Sequence, residues 1–90
     1  MFLDIPRSMN MDATTWAQRV AAAVRAEMAW QRRTGVELAR HLGVAQPTIS
    51  KRLTGETAFD LRELEEVASW LGVSPTELAS RADRAEAVSA

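Results

Sequence analysis

Gln46, Thr48, Ser50, Lys51 and Arg52 bring an amide, two hydroxyls and two cations into one short stretch of the chain. Such side chains can donate and accept hydrogen bonds along an ordered polar edge and neutralise anions. Within the same stretch Pro47 suits the first turn of a helix, where its missing N–H would be an orphan in any case. Ile49 and Leu53, four residues apart, give that helix one edge to bury. A short helix with a polar, uncharged-to-basic outer face makes a poor core element and is suited to a groove.

Catalysis finds no comparable support. The chain has no cysteine and one histidine, His41, which excludes thiolate chemistry, disulfides and cysteine-ligated zinc and argues against a histidine metal site or triad. His41, beside Leu42 at a helix end, reads as structural or solvent-facing. Glu63, Glu65 and Glu66 form a solvated acidic face, because no His, Cys or Lys stands ready to complete a reacting set. The expectation is a protein that is not an enzyme and needs no cofactor and no metal.

The polar stretch is bracketed by helix signals. Thr34-Gly-Val-Glu37 is a capping box, in which the threonine hydroxyl accepts a first-turn amide and the glutamate reaches back to the cap. It opens a helix to about Leu42 with Val36, Leu38, Ala39 and Leu42 as its apolar set, and Gly43 stands where a left-handed stop is wanted. Asp60-Leu-Arg-Glu63 repeats the box and opens a helix to Leu71, with Leu61, Leu64, Val67, Ala68 and Leu71 inward and Gly72 as its stop. Ser74-Pro-Thr-Glu77, with Pro75 in the first turn, starts a last helix through Leu78. Upstream, Trp16, Val20, Val24 and Met28 share one stripe of a helix that begins at Thr14 or Thr15 and fades before Thr34. Residues 1–12, without periodicity, read as a flexible tail, 13–80 as the domain, and 81–90 as a helical extension or tail. The fold class is all-α.

Charge separates along the chain. Between Arg19 and Arg52 seven basic residues stand against two acids, Glu27 and Glu37; from Glu56 onward eight acids stand against three arginines. A net charge of −1 therefore conceals a basic half suited to phosphate and an acidic half. No apolar run approaches the roughly 20 residues of a membrane span. The N-terminus lacks the apolar stretch of a signal peptide, so a cytoplasmic protein is expected.

Two short helices across a glycine turn, the second presenting Gln, Thr, Ser, Lys and Arg, are the parts of a helix-turn-helix. The stretch TGVELARHLGVAQPTISKRLTGE, followed by LEEVASWLGVSPTEL, resembles the lambda-repressor-like, Cro/C1-type family. That resemblance implies a compact five-helix domain whose third helix, about 46–54, reads double-stranded DNA through the major groove. It places Gln46, Pro47, Thr48 and Lys51 at bases, with Ser50 and Arg52 as further readers. It places Thr34, Gly35, Thr54 and Gly55 at phosphates, joined by the basic side chains Arg32, Arg33 and Arg40. The family often has glutamine where Gly35 stands, which shifts the expected phosphate grip toward Arg32 and Arg33. Its usual arginine–glutamate brace falls on Met28 and Leu53 here, so an apolar contact is expected in its place.

The implied function is a transcriptional regulator, a repressor of bacterial or phage origin, without a small-molecule effector domain and associated with the nucleoid through DNA. A homodimer on a palindrome is the default, with Trp70 and Leu78 as candidate contacts. The other tryptophans, Trp16 and Trp30, read as core or subunit contacts rather than base-stacking platforms. Two alternatives share the architecture: a protein-interaction module of the antitoxin or anti-repressor kind, and a DNA-bending accessory factor of excision or recombination.

Overall fold

The computed structural model describes residues 15–89. The expected tail, 1–12, lies outside the described residues. Five helices follow in order: α1 (Trp16–Gln31), α2 (Gly35–Leu42), α3 (Gln46–Thr54), α4 (Leu61–Leu71) and α5 (Pro75–Ser89), with no strand among the described residues.

The boundaries are set by local chemistry. Thr34 accepts from the Glu37 amide at 3.2 Å while the Glu37 carboxylate accepts from the Thr34 amide at 2.7 Å, closing the box that opens α2. Asp60 and Glu63 do the same for α4, at 2.7 and 3.0 Å. Thr15 and Gln18 form a third complete box at the start of α1. At α5 only the hydroxyl half is used: Ser74 Oγ accepts from the Glu77 amide at 3.0 Å. The Glu77 carboxylate instead accepts from Arg81 and Arg84, which hold it below the ordinary carboxylate range. Because each cap satisfies amides that water would otherwise have to solvate, Thr34→Ala is expected to cost about 1 kcal/mol, read as a lowered thermal midpoint.

The largest fully buried side chains come one from each helix: Val24, Leu38, Ile49, Val67 and Leu78. Each helix thus lends one stripe to a single core. α1 is also the hub of polar contacts. Its Arg19 donates to the Ala82 carbonyl of α5 at 3.2 Å, and Gln31 donates to the Leu71 carbonyl at the end of α4 at 2.7 Å. Arg81 of α5 reaches Glu27 of α1 at 2.7 Å, and Trp16 Nε1 donates to Asp83 at 2.8 Å. These contacts and the fully buried Ala82 fasten α5 to α1 beyond the expected boundary at residue 80.

Several inward and outward assignments are corrected. Val36 and Leu61, expected in the core, are 44% and 84% exposed. Both occupy the first turn of their helix on the side turned away from the core, whereas Glu63, expected on a solvated face, is buried with Leu64 in the same turn of α4. Trp30 is 84% exposed and so is no core residue. Leu78, expected at a dimer contact, is fully buried inside the domain and unavailable to a partner. Trp70, the other expected contact, is half-buried and already covered: the Arg33 guanidinium lies 4.4 Å from its ring centre and the His41 ring stacks at 5.8 Å.

Candidate nucleic-acid interface

The surface of α3 sorts its residues sharply. Gln46, Pro47, Ser50, Lys51 and Thr54 are exposed, and their spacing of one, four, five and eight places them on one stripe. On the other side Ile49 is buried and Leu53 packs against the core. Thr48 is intermediate, at the flank. Apart from Pro47 the stripe is polar, with one cation, one amide and the Ser50 hydroxyl, while the Thr54 hydroxyl is engaged by the Lys51 carbonyl and the Glu56 amide.

Three fastenings fix the direction of that stripe. Arg52 Nε donates to Glu63 Oε1 of α4 at 3.0 Å, with Arg52 side-chain exposure at 20% and Glu63 at 9%. The Arg52 guanidinium is the main reason the Glu63 carboxyl is held below its ordinary range. The same bond holds the Arg52 pKa above its ordinary value. Arg25 of α1 donates to the Leu53 carbonyl, capping the C-terminal end of α3. Gly55 ends α3 at φ 82°, and a Cβ there would stand 2.7 Å from the Gln18 backbone of α1, so the chain comes closer than any side chain permits.

Residues 23–78, more than half of the chain, match the model of a helix-turn-helix family. The chain belongs to the Cro/C1-type helix-turn-helix family. It carries the all-α fold of a family of DNA-binding transcription regulators. No curated protein and no solved structure gives a significant match to it. No helix among the described residues is long and apolar enough to cross a membrane.

As a helix-turn-helix, the chain places α2 and α3 about Gly43, which has φ 71° and open space around the position of a Cβ. The expected readers Gln46, Pro47, Ser50 and Lys51 fall together on the exposed stripe, with Thr48 beside it. Arg52 does not. It faces α4 and is committed to Glu63, so its expected base contact is corrected to a structural one. Arg33, expected at a phosphate, donates to the Trp70 carbonyl at 2.8 Å and lies over the Trp70 ring. The Gly55 amide, also expected at a phosphate, donates to the Arg52 carbonyl at 3.2 Å. The Thr54 hydroxyl donates to the Lys51 carbonyl and accepts from the Glu56 amide.

Arg32, Arg40 and Thr34 are exposed. Gly35 lies against α3, where a Cβ would meet Leu53 at 3.5 Å, an ordinary contact. The apolar replacement expected for the family's brace is consistent with the structure, in which Met28 is buried and Leu53 packs against the same core. Sequence reasoning missed the Arg25 cap and the Arg52–Glu63 pair. Neither has a fixed sequence spacing that announces it.

Proposed function

We propose that the protein binds double-stranded DNA sequence-specifically and regulates transcription as a repressor, by occupying a promoter or operator. In this reading α3 enters the major groove. Gln46 reads a base edge, most naturally adenine, with which an amide makes two bonds. Pro47, Thr48 and Ser50 fit the groove floor, and Lys51 serves guanine or phosphate. Arg40, Thr34 and the first amides of α2 hold the backbone and set the register.

The observation that carries the reading is the exposed polar stripe on α3, on a helix clamped from α1 and α4. A solvated surface helix needs no such fixing; a reading helix does, because base contacts depend on its angle. Of the basic half, Arg32, Arg40 and Lys51 are exposed and outside the internal contacts described above, and they supply the phosphate affinity on which such reading is built. A bacterial or phage source, suggested by the alanine- and arginine-rich composition, a cytoplasmic location and the absence of enzymatic activity complete the proposal.

The test is the salt dependence of binding to a short mixed-sequence duplex. Lys51→Ala is expected to weaken binding and to reduce the slope of log K against log salt by about 0.9 per protomer if Lys51 takes a phosphate, or to leave the slope and erase discrimination between sequences if it takes a base. Binding that ignores salt in the wild type, together with a tight one-to-one protein partner, would favour the interaction-module alternative instead.

A further inference from the structure

The turn that follows α3 has its donors taken. The Gly55 amide donates to the Arg52 carbonyl at 3.2 Å, the Glu56 amide to Thr54 Oγ at 3.3 Å, and the Thr57 amide to the Lys51 carbonyl at 3.2 Å. The Thr54 hydroxyl itself donates to the Lys51 carbonyl at 3.1 Å. From Gly55 to Thr57 no amide is left for an anion. The same bonds locate the turn. Lys51 and Thr54 belong to the exposed stripe of α3, so residues 55–57, which hang on them, lie at the end of that stripe.

Glu56 is exposed there, and no hydrogen bond or ion pair holds its carboxylate among the described residues. Of the two cations just before it, Arg52 is committed to Glu63, and Lys51 forms no ion pair with it. Nor does the fold gain from the charge. The C-terminal end of a helix carries the negative pole of its dipole, which disfavours an anion two residues past the end of α3.

We infer that Glu56 limits the affinity of the protein for DNA: with α3 in the major groove, its carboxylate meets the phosphate backbone at the C-terminal end of the reading helix and repels it. This inference rests on the proposed DNA-binding function. The family resemblance implies a phosphate grip at Thr54 and Gly55. The engaged donors and the exposed carboxylate make this end the opposite, and leave the backbone to Thr34, Arg40 and the first amides of α2. Phosphates are the same in every sequence, so the repulsion weakens all sites alike. A site is then occupied only where base contacts make up the loss. Two like charges about 7 Å apart in water repel enough to weaken binding about threefold, and salt screens the effect.

Glu56→Gln and Glu56→Lys are compared with wild type for binding to a mixed-sequence duplex across salt concentrations, each also in the Lys51→Ala background, and for the motif each selects from a random DNA pool. Glu56→Gln is expected to bind about threefold tighter at low salt, and Glu56→Lys about tenfold, with a salt slope steeper by about 0.9 per protomer. Both gains are expected to persist without Lys51, and the motif to stay that of wild type. Unchanged affinity in both variants overturns the inference. A gain that vanishes when Lys51 is absent overturns it too, and assigns the carboxylate to Lys51 rather than to phosphate. Weaker binding by Glu56→Gln with an altered motif would make Glu56 a base reader instead, since a carboxylate accepts from the cytosine amino group. Thermal midpoints at or above that of wild type are expected, and a lower one would assign the charge to the fold. Wild-type protein that shows no salt-dependent duplex binding overturns the DNA reading and this inference with it, whereas the other outcomes leave that reading standing.

Discussion

Gly55→Ala is expected to destabilise the protein by about 3 kcal/mol and to lower its thermal midpoint by about 10–20 °C. Two costs combine at this position. The backbone is left-handed at φ 82°, where a Cβ alone costs about 1–2 kcal/mol. The Cβ would also lie 2.7 Å from the Gln18 Cα of α1, a backbone atom that cannot swing aside. Gly43→Ala supplies the comparison, because Gly43 is left-handed at φ 71° with nothing within 4 Å of a Cβ. It is expected to lose only the backbone part, about 1 kcal/mol. Equal losses in the two variants, measured by denaturant or thermal unfolding, would show that the close approach of α3 to α1 carries no energy of its own.

Glu63→Ala is expected to cost about 2–3 kcal/mol, less than the full penalty for breaking a buried pair because Arg52 keeps a fifth of its side-chain surface in water. One carboxylate does two tasks here: it accepts from Arg52 Nε and from the Asp60 amide, each at 3.0 Å. Removing it undoes both the α3–α4 clamp and half of the α4 capping box. Replacing the pair jointly, as Arg52→Met with Glu63→Leu, is expected to recover much of the loss, since apolar partners of similar size need no desolvation.

The clamp also has a pH signature. The folded Glu63 pKa lies below its ordinary value of 4.5, chiefly through Arg52. Its contribution is therefore fully present above about pH 4.5 and is lost as pH falls through the lower folded value. Glu27, lowered by Arg81 and Gln31, and Glu77, lowered by Arg81 and Arg84, act in the same direction. Wild-type stability should be flat from pH 7 to pH 5 and fall in acid. Glu63→Gln should fall less steeply. Parallel acid limbs for the two proteins would contradict the assignment.

What was legible in the sequence was what is local. The Thr34–Glu37 and Asp60–Glu63 boxes each close within one turn, and Gly43 and Gly72 stop their helices through a property of a single residue. The same spacing that marks Thr34 and Glu37 also fits Thr15 and Gln18, whose box is equally local. What depended on neighbours was not legible. Leu61 falls on the apolar stripe of α4 but is the first residue of that helix, and it is exposed while Leu64 of the same turn is buried. Nothing in the spacing of Leu78 and Trp70 tells that the first is buried in the core or that Arg33 and His41 lie against the second.

For the candidate site the division is the same. Gln46, Pro47, Ser50 and Lys51 were readable as one face because helical periodicity fixes their directions together. Arg52 was misplaced because its partner lies eleven residues away in another helix. Composition cannot separate a cation that faces DNA from one that fastens the helix presenting the others. The clamp matters to the function all the same, since an α3 freed from Glu63 would carry the same side chains at a less defined angle.

The measurement closest to the central claim is selection of bound duplexes from a random DNA pool by wild type and by Gln46→Ala in parallel. Wild type is expected to enrich a defined motif, and Gln46→Ala to retain it except at one position, where the preference relaxes by about 1–3 kcal/mol. Two half-sites in the motif would report a dimer, and a single asymmetric site a monomer. An identical motif from both proteins, or no motif from wild type, would contradict the assignment of α3 as the reading helix.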